Sequence, residues 1–209
     1  MSQILDLFLP TPCVLCSKPG NPFCLTCRSG FELDCAQVTK LGISGFSFCS
    51  YESDSALIVN AIKEMGQTSL IGPIASLMAR LWPEALSGPI LVPIPSSPAN
   101  YRRRGYQHTH KLASALEKRL PGSRVVPLLR SSRDREDQSD LNPQERVANL
   151  NQAFSADLRG FQGTDAPIVL IDDVITTGAS IAAGVRALEE AGLDPIRFCV
   201  FAETKPKTR

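Results

Sequence analysis

The segment 168–181, with the sequence IVLIDDVITTGASI, constrains the fold of this chain more than any other. Its apolar start is rich in β-branched residues and predicts a buried strand of a parallel sheet. Its small and hydroxylated end predicts a tight loop that opens a helix reaching to about Ala191. Free backbone N–H groups at such a helix start bind phosphate. The residues expected in this loop are Thr176, Thr177, Gly178, Ala179 and Ser180.

Two adjacent acids, Asp172 and Asp173, precede the loop. Carboxylates in direct contact with a phosphate would repel it, so a group such as sugar hydroxyls or a metal ion must lie between them. Ribose 5-phosphate meets this demand, with its phosphate in the loop and its 2′ and 3′ hydroxyls on the acids. A buried strand, an acidic strand end and a capped helix would each be ordinary alone, and only their order favours a ligand site.

The same segment resembles the phosphoribosyl pyrophosphate (PRPP) motif of type I phosphoribosyltransferases. That motif has four apolar residues, two acids, two variable or apolar residues, then Thr-Thr-Gly and a small or hydroxylated pair, and every position is filled here. The resemblance implies an α/β fold with a mostly parallel, doubly wound sheet. It also implies that Asp172 and Asp173 are the catalytic acids and that the substrate is Mg-PRPP.

Composition limits the classes of protein that remain. The chain has 209 residues, enough for one medium α/β domain and a small appendage. Its net charge is +1, which gives no bulk attraction to nucleic acid or membranes. The longest apolar candidate, 70–82, is too short for a membrane span and contains Arg80. The N-terminus lacks the pattern of a signal peptide, so we predict a cytoplasmic protein without a membrane span.

Four of the seven cysteines form two C-x-x-C pairs separated by seven residues. Each pair can aim two sulfurs at one point, and two pairs can surround a zinc ion. We therefore predict a structural zinc ribbon over 1–40, followed by a phosphoribosyltransferase-like domain over 41–209. Two disulfides, a redox pair or an iron–sulfur cluster remain alternatives. The predicted ligands are Cys13, Cys16, Cys24 and Cys27.

A second polar loop follows a predicted strand at 90–94. Ligands of doubly wound sheets bind at the carboxyl ends of the strands, and both this loop and the Asp172 loop leave strands there. We assign its residues Pro95, Ser96 and Ser97 to the pyrophosphate of PRPP, although a plain strand-to-helix turn is the alternative. Next comes a basic run flanked by tyrosines, which predicts contact with pyrophosphate or single-stranded nucleic acid, or merely a solvated turn. The run consists of Arg102, Arg103 and Arg104.

The remaining pattern predicts alternating strands and helices. Strands are expected at 46–51, 124–129 and 195–201. Helices are expected at 69–85 and 107–120, and another should carry Ile58, Ile62 and Met65 on one face. Residues 130–140 predict an exposed loop and candidate lid, 142–145 a capped helix start, and 205–209 a disordered basic tail. Lys63 could reach a phosphate, although a solvated lysine is the commoner case. His108 and His110 are expected to be surface or groove residues, and Cys199 to lie in the core.

Taken together, these marks resemble the ComF family of competence-associated, phosphoribosyltransferase-like proteins over nearly the whole chain. One departure stands at Gln107 and His108, where the family usually has Asn-Gln. The resemblance implies a role in natural competence and DNA uptake, with single-stranded DNA and competence proteins as partners. The residues that carry it, besides the cysteines and the 168–181 segment, are Val92, Pro93, Ile94, Pro95, Arg104, Gly105, Tyr106, Gln138, Leu141, Arg146, Asn149, Ala153 and Phe154.

Two functions are compatible with these patterns. In the first, the protein is a glycosyltransferase that moves phosphoribosyl from Mg-PRPP to an acceptor. In the second, it is a non-catalytic module that binds PRPP or nucleic acid and acts through protein partners. The sequence shows no base-recognition hood that would name an acceptor, and it fixes no oligomeric state.

Overall fold

The computed structural model describes residues 11–131, 153–194 and 196–205. A six-stranded sheet in the order β1-β2-β8-β7-β3-β4 forms the centre, and β5 and β6 form a separate two-stranded sheet. Only β1 runs antiparallel to its neighbour in the large sheet. This confirms the α/β class and the mostly parallel sheet. The strands are β1 (Ala36–Lys40), β2 (Ile43–Ser50), β3 (Ile90–Pro93), β4 (Arg124–Val125), β5 (Leu129–Ser131), β6 (Phe154–Ala156), β7 (Ile168–Ile175) and β8 (Ile196–Glu203).

Helices cover both faces of the sheet. Short 3₁₀ turns at Thr68–Leu70 and Glu84–Leu86 flank the third helix. The helices are α1 (Leu25–Ser29), α2 (Ser53–Lys63), α3 (Ile71–Arg80), α4 (Pro98–Arg104), α5 (His108–Glu117) and α6 (Ala179–Glu189).

The central strand β7 separates two apolar clusters. Val169 and Ile171 pack with α2, α3 and α5, whereas Ile168 and Leu170 pack with α6 and the small sheet. This alternation follows from the two-residue period of a strand. Because both faces are covered, β7 is apolar at its first four positions, as the sequence predicted.

The cysteine-bearing segment packs directly on this core. Phe23 is buried in the α2–α3–α5 cluster. Phe31 stacks on Phe201 of β8, with ring centroids 6.0 Å apart. The boundary near residue 40 stays a prediction, since β1 and β2 form one hairpin across it.

Several predicted elements differ in extent from the observed ones. The strand expected at 124–129 is split into β4 and β5, because Pro127 between them has no N–H for a ladder. The helix expected at 69–85 ends at Arg80, shortly before Pro83. Met65 was wrongly placed on a core face: α2 ends at Lys63, and Met65 is 70% exposed.

Some predictions fall partly or wholly outside the described residues. The start of the expected 130–140 loop belongs to β5, and the rest of it lies outside them, as does the helix start at 142–145. The same holds for 206–209 of the basic tail. Cys199 is fully buried, as predicted.

Candidate functional site

A cavity of about 310 Å³ lies at the carboxyl ends of β3 and β7. It brings together the two loops that the sequence assigned to PRPP. The 95–97 loop contributes all three of its residues, and the 176–180 loop contributes Ala179 and Ser180. Thr176 and Thr177 are exposed and do not line the cavity. The other lining residues are Lys63, Ile94, Asn100, Arg104, His108, Thr109, Ser131, Ala153, Phe154 and Asp172.

The 176–180 loop is shaped by Gly178, the residue just before helix α6. Gly178 has φ +85°, a left-handed conformation that glycine adopts without strain. A Cβ at this position would lie 2.8 Å from Cβ of Lys40, at the end of β1. The loop therefore packs closely on the β1–β2 hairpin, which the sequence did not predict.

The 95–97 loop and helix α4 present polar atoms that lack partners. Ser97 caps α4 by accepting a hydrogen bond from the backbone N–H of Asn100 at 3.3 Å. Oγ of Ser96 and Nε of Arg104 are buried without a hydrogen-bond partner among the described residues. Buried polar atoms without partners are rare in proteins, so these two atoms are the ones that a bound anion would satisfy.

The two acids have different surroundings. Both lie within β7 rather than after it, and neighbouring residues of a strand point to opposite faces. Asp172 lines the cavity, whereas Asp173 does not. Asp173 is 7% exposed, with Nζ of Lys63 2.8 Å from its Oδ1 and Nε2 of His108 3.2 Å from its Oδ2. The acids therefore form an asymmetric pair.

The different surroundings of the two acids move their pKa values in opposite directions. Burial, with the nearby charge of Asp173, raises the pKa of Asp172 to about 8. Burial also raises the pKa of Asp173, but hydrogen bonding to His108 and the charge of Lys63 outweigh it, so the pKa of Asp173 is lowered. At neutral pH, Asp173 is the ionised member and Asp172 can donate or accept a hydrogen bond.

Lys63 and His108 both line the cavity. The sequence left Lys63 open between a phosphate contact and a solvated lysine, and it placed His108 on the surface or in a groove. His108 is 7% exposed and lines the cavity, whereas His110 is exposed and lies 3.5 Å from Ser114. No local signal marks Lys63, because its partner Asp173 is distant in sequence. The nearest hint for His108 is its position two residues after Tyr106, in the segment that carries the family resemblance.

The group of His108, Asp172 and Asp173 brings its ligand atoms within 4.8 Å of one another, an arrangement that resembles a metal site. Lys63 already supplies a cation to Asp173, and a divalent ion there would compete with it. We therefore interpret Asp173 as the partner of Lys63 and His108 rather than as a metal ligand. The sequence assigned the expected Mg²⁺ to the substrate, as Mg-PRPP, and that assignment stays a prediction.

The arginine run is engaged within the protein. Arg103 contacts both carboxylate oxygens of Glu64, and Nη2 of Arg104 donates to Oε1 of Glu64 at 3.0 Å. The hydroxyl of Tyr106 donates to the carbonyl of Ile62. These contacts fix α4 and the turn after it against the end of α2. Arg103 and Arg104 are thus held by Glu64, and the run lies in a helix rather than in a turn.

The four N-terminal cysteines converge as predicted. Their sulfurs lie within 4.8 Å of one another, and Sγ of Cys16 and Cys24 are 3.7 Å apart. Burial raises the pKa of Cys13, but backbone hydrogen bonds outweigh it and lower that pKa to about 6. Hydrogen bonds from neighbouring thiols raise the pKa of Cys27 to about 12. Four converging sulfurs form a donor set that fits one metal ion.

Comparison with known proteins identifies the family. Residues 102–209 match the phosphoribosyl transferase domain family. The chain belongs to this family. It is 31% identical over 137 residues to Competence protein ComFC of Bacillus subtilis. The matched stretch covers 66% of this chain and 49% of that relative. It is also 27% identical over 107 residues to Competence protein F of Haemophilus influenzae. That matched stretch covers 51% of this chain and 47% of that relative.

The names of these relatives confirm the ComF resemblance. The chain spans about half the length of the curated relatives it matches. Within the described residues, the helices are all too short or too polar to cross a bilayer.

Proposed function

We propose that this ComF-family chain binds Mg-PRPP in the 310 Å³ cavity and transfers its phosphoribosyl group to an acceptor. One observation carries the proposal. Asp172, the 95–97 loop and the start of α6 line a single cavity. Oγ of Ser96, Nε of Arg104 and Nδ1 of His108, all from lining residues, are buried without a hydrogen-bond partner among the described residues. A ligand with phosphate at both ends and hydroxyls between them matches this order of groups.

The chemistry demands little of the protein besides positioning and charge. When the bond from C1 to pyrophosphate breaks, positive charge develops on the ribose and negative charge on the leaving group. The start of α6 holds the 5-phosphate, and Asp172 holds the ribose hydroxyls. Ser96 and Arg104 then stabilise the departing pyrophosphate. The Mg²⁺ that arrives with PRPP neutralises part of the pyrophosphate charge.

Asp173 acts through its neighbours in this proposal. Its buried negative charge keeps Lys63 and His108 in place beside the cavity that both of them line. It also disfavours a second negative charge on Asp172. Asp173 is therefore a positioning residue, whereas Asp172 contacts substrate.

The biological role is proposed from the names of the relatives. Two of them are called competence proteins, and we propose that this chain likewise acts in DNA uptake, with single-stranded DNA and competence proteins as partners. We also propose that the four cysteines bind zinc as a structural ion. The alternative is a non-catalytic module that uses the same cavity to bind PRPP or nucleic acid.

Calorimetric titration with PRPP, with and without Mg²⁺, tests the proposal. It is followed by a pyrophosphate-release assay across free bases and oligonucleotides. We expect binding that needs Mg²⁺, and release that needs an acceptor. Asp172→Asn should weaken binding, whereas Asp165→Asn, which changes an exposed loop residue, should leave it unchanged. Binding without release would favour the module, and failure of the unaltered protein to bind PRPP would refute the assignment.

A further inference from the structure

His108 carries a buried nitrogen atom that the fold leaves without a partner. The residue lines the proposed PRPP cavity and is 7% exposed. Nδ1 of its ring is buried and has no hydrogen-bond partner among the described residues. Buried polar atoms without partners are rare in proteins, so this nitrogen is placed for a group that a ligand supplies.

Asp173 determines which of the two ring nitrogens carries the proton. Nε2 of His108 lies 3.2 Å from Oδ2 of Asp173, an oxygen that is buried and not hydrogen-bonded to any other described residue. Asp173 is the ionised acid of the adjacent pair, and a neutral imidazole has one N–H and one lone pair. The carboxylate therefore holds the proton on Nε2, and Nδ1 keeps the lone pair. Nδ1 lies across a ring carbon from Nε2, so this lone pair points away from Asp173.

The ring of His108 is fixed in place and has an apolar surface behind it. Oγ1 of Thr109, the next residue of α5, donates to the carbonyl of Ile94 at 2.7 Å and fixes the start of α5 at the end of β3. A void of about 20 Å³ lies beside His108 and Asp173, and its other lining residues are all apolar. The apolar backing leaves the PRPP cavity as the direction in which the ring can exchange a proton. The apolar residues are Val59, Ile62, Ile71, Ile74, Leu112 and Phe201.

The lone pair of Nδ1 limits the kind of group that it can receive. Ionised phosphate oxygens only accept hydrogen bonds, so the phosphates of PRPP do not satisfy it. An acceptor with an O–H or N–H at its nucleophilic atom does satisfy it. A carboxylate that orients an imidazole, whose second nitrogen faces a nucleophile, is the arrangement that activates hydroxyl nucleophiles in unrelated enzymes.

We propose that His108, positioned by Asp173, is the general base that removes a proton from the acceptor, and that the acceptor attacks through an O–H or N–H group. This role rests on the proposed function and deepens it by naming the class of acceptor. As the bond from C1 to pyrophosphate breaks, its electron pair leaves with the pyrophosphate. A lone pair of the acceptor bonds to C1, the acceptor's proton moves to Nδ1, and Asp173 stabilises the resulting imidazolium. Loss of that proton to solvent restores the neutral ring.

Two small nucleophiles separate proton removal from the rest of the reaction. Methanol must lose a proton when it bonds to C1, whereas the azide ion has none to lose. They stand in for the acceptor, and pyrophosphate release from Mg-PRPP measures the rate with each. His108→Gln keeps a hydrogen-bond donor for Asp173 but takes up no proton, so it should lower the ratio of the methanol rate to the azide rate about 100-fold. His110→Gln, at an exposed position in the same helix, should keep the ratio of the unaltered protein.

A second measurement needs no turnover. The chain has two histidines, so the ring ¹⁵N spectrum of the unaltered protein contains two imidazoles, and His110→Gln assigns them. At neutral pH, His108 should show a protonated Nε2 and an unprotonated Nδ1. A proton on Nδ1, whether alone or together with one on Nε2, would overturn the proposed role, because that nitrogen could then accept no proton.

The kinetic outcomes distinguish failure of this role from failure of the proposed function. An unchanged ratio in His108→Gln, or release with azide alone in the unaltered protein, would overturn the general base while phosphoribosyl transfer stands. An equal fall of both rates, with weaker binding of Mg-PRPP in calorimetry, would also overturn it and make His108 a contact for the ribose hydroxyls. If the unaltered protein binds no Mg-PRPP, or binds it and releases pyrophosphate with neither nucleophile, the proposed transfer fails and the general base fails with it.

Discussion

Nζ of Lys63 lies 2.8 Å from Oδ1 of Asp173, behind the acid that lines the proposed PRPP cavity. The lysine comes from the end of α2 and the acid from the central strand. This pair gives the two adjacent acids different roles, because Asp173 has a permanent cation and Asp172 does not. The pair also joins the end of α2 to the central strand of the sheet. Glu64 follows Lys63 directly in the sequence.

The first prediction concerns this ion pair. Lys63→Met should lower the free energy of unfolding by about 3 kcal/mol, because removing one partner leaves a buried charge uncompensated. Urea unfolding measures the change, and Lys118→Met, at an exposed position, is the control. The double change Lys63→Met with Asp173→Asn should recover part of the loss. An unchanged free energy of unfolding in Lys63→Met would show that the pair does not stabilise the fold.

The second prediction concerns the pH dependence of stability. The pKa of Asp172 is raised to about 8 in the folded protein. An aspartate in an unfolded chain has a pKa of about 3.9, so between these pKa values the folded state holds a proton that the unfolded chain has lost. This contribution to stability is full below about pH 4 and is lost as the pH rises towards 8.

Asp172→Asn should flatten this pH dependence, since an amide does not titrate. Asp173, with its lowered pKa, works in the opposite direction, but only in the acid range as the pH falls towards its folded value. Unfolding free energies of both proteins across the pH 4–8 window are the measurement. Equal slopes in the two proteins would contradict the burial of a protonated Asp172.

The third prediction concerns the four converging cysteines. Cys24→Ser should remove about one equivalent of zinc per chain, because a tetrahedral thiolate site loses most of its affinity without one ligand. It should also loosen the segment that carries Phe23 and Phe31. Cys35→Ser, outside the cluster, is the matched control. Metal analysis and thermal unfolding measure both effects, and full zinc content in Cys24→Ser would refute the zinc assignment.

Sequence reasoning succeeded where a feature is local. The apolar run of β7 and the converging C-x-x-C pairs are local patterns, and the structure confirms both. The 95–97 loop lines the cavity, but only Ala179 and Ser180 of the 176–180 loop do so. It missed the features that depend on distant residues. Neither the pairing of Lys63 with Asp173 nor that of Glu64 with Arg103 leaves a local trace. The burial of His108 follows from the way α5 packs against β7, which no single segment encodes.

The fourth prediction isolates one such distant contact, that of Lys40 with the proposed phosphate loop. Gly178 and Gly192 stand before and after α6 with nearly equal φ angles, +85° and +83°. Alanine at either position costs about 1 kcal/mol or more for its left-handed backbone. Only at 178 would the added Cβ also meet a neighbour, Cβ of Lys40, at 2.8 Å; at 192 it would meet nothing within 4 Å.

Gly178→Ala should therefore lose more stability than Gly192→Ala in urea unfolding. The excess comes from displacing either the loop or the end of β1, because a Cβ contact below 3.0 Å cannot persist. Since the start of α6 is proposed to hold the 5-phosphate, Gly178→Ala should also weaken PRPP binding, whereas Gly192→Ala should not. Equal losses of stability in the two variants would show that the β1–β2 hairpin moves away from the added Cβ at no cost in free energy. Unchanged PRPP affinity in a folded Gly178→Ala protein would show that the 5-phosphate does not depend on the loop at Gly178.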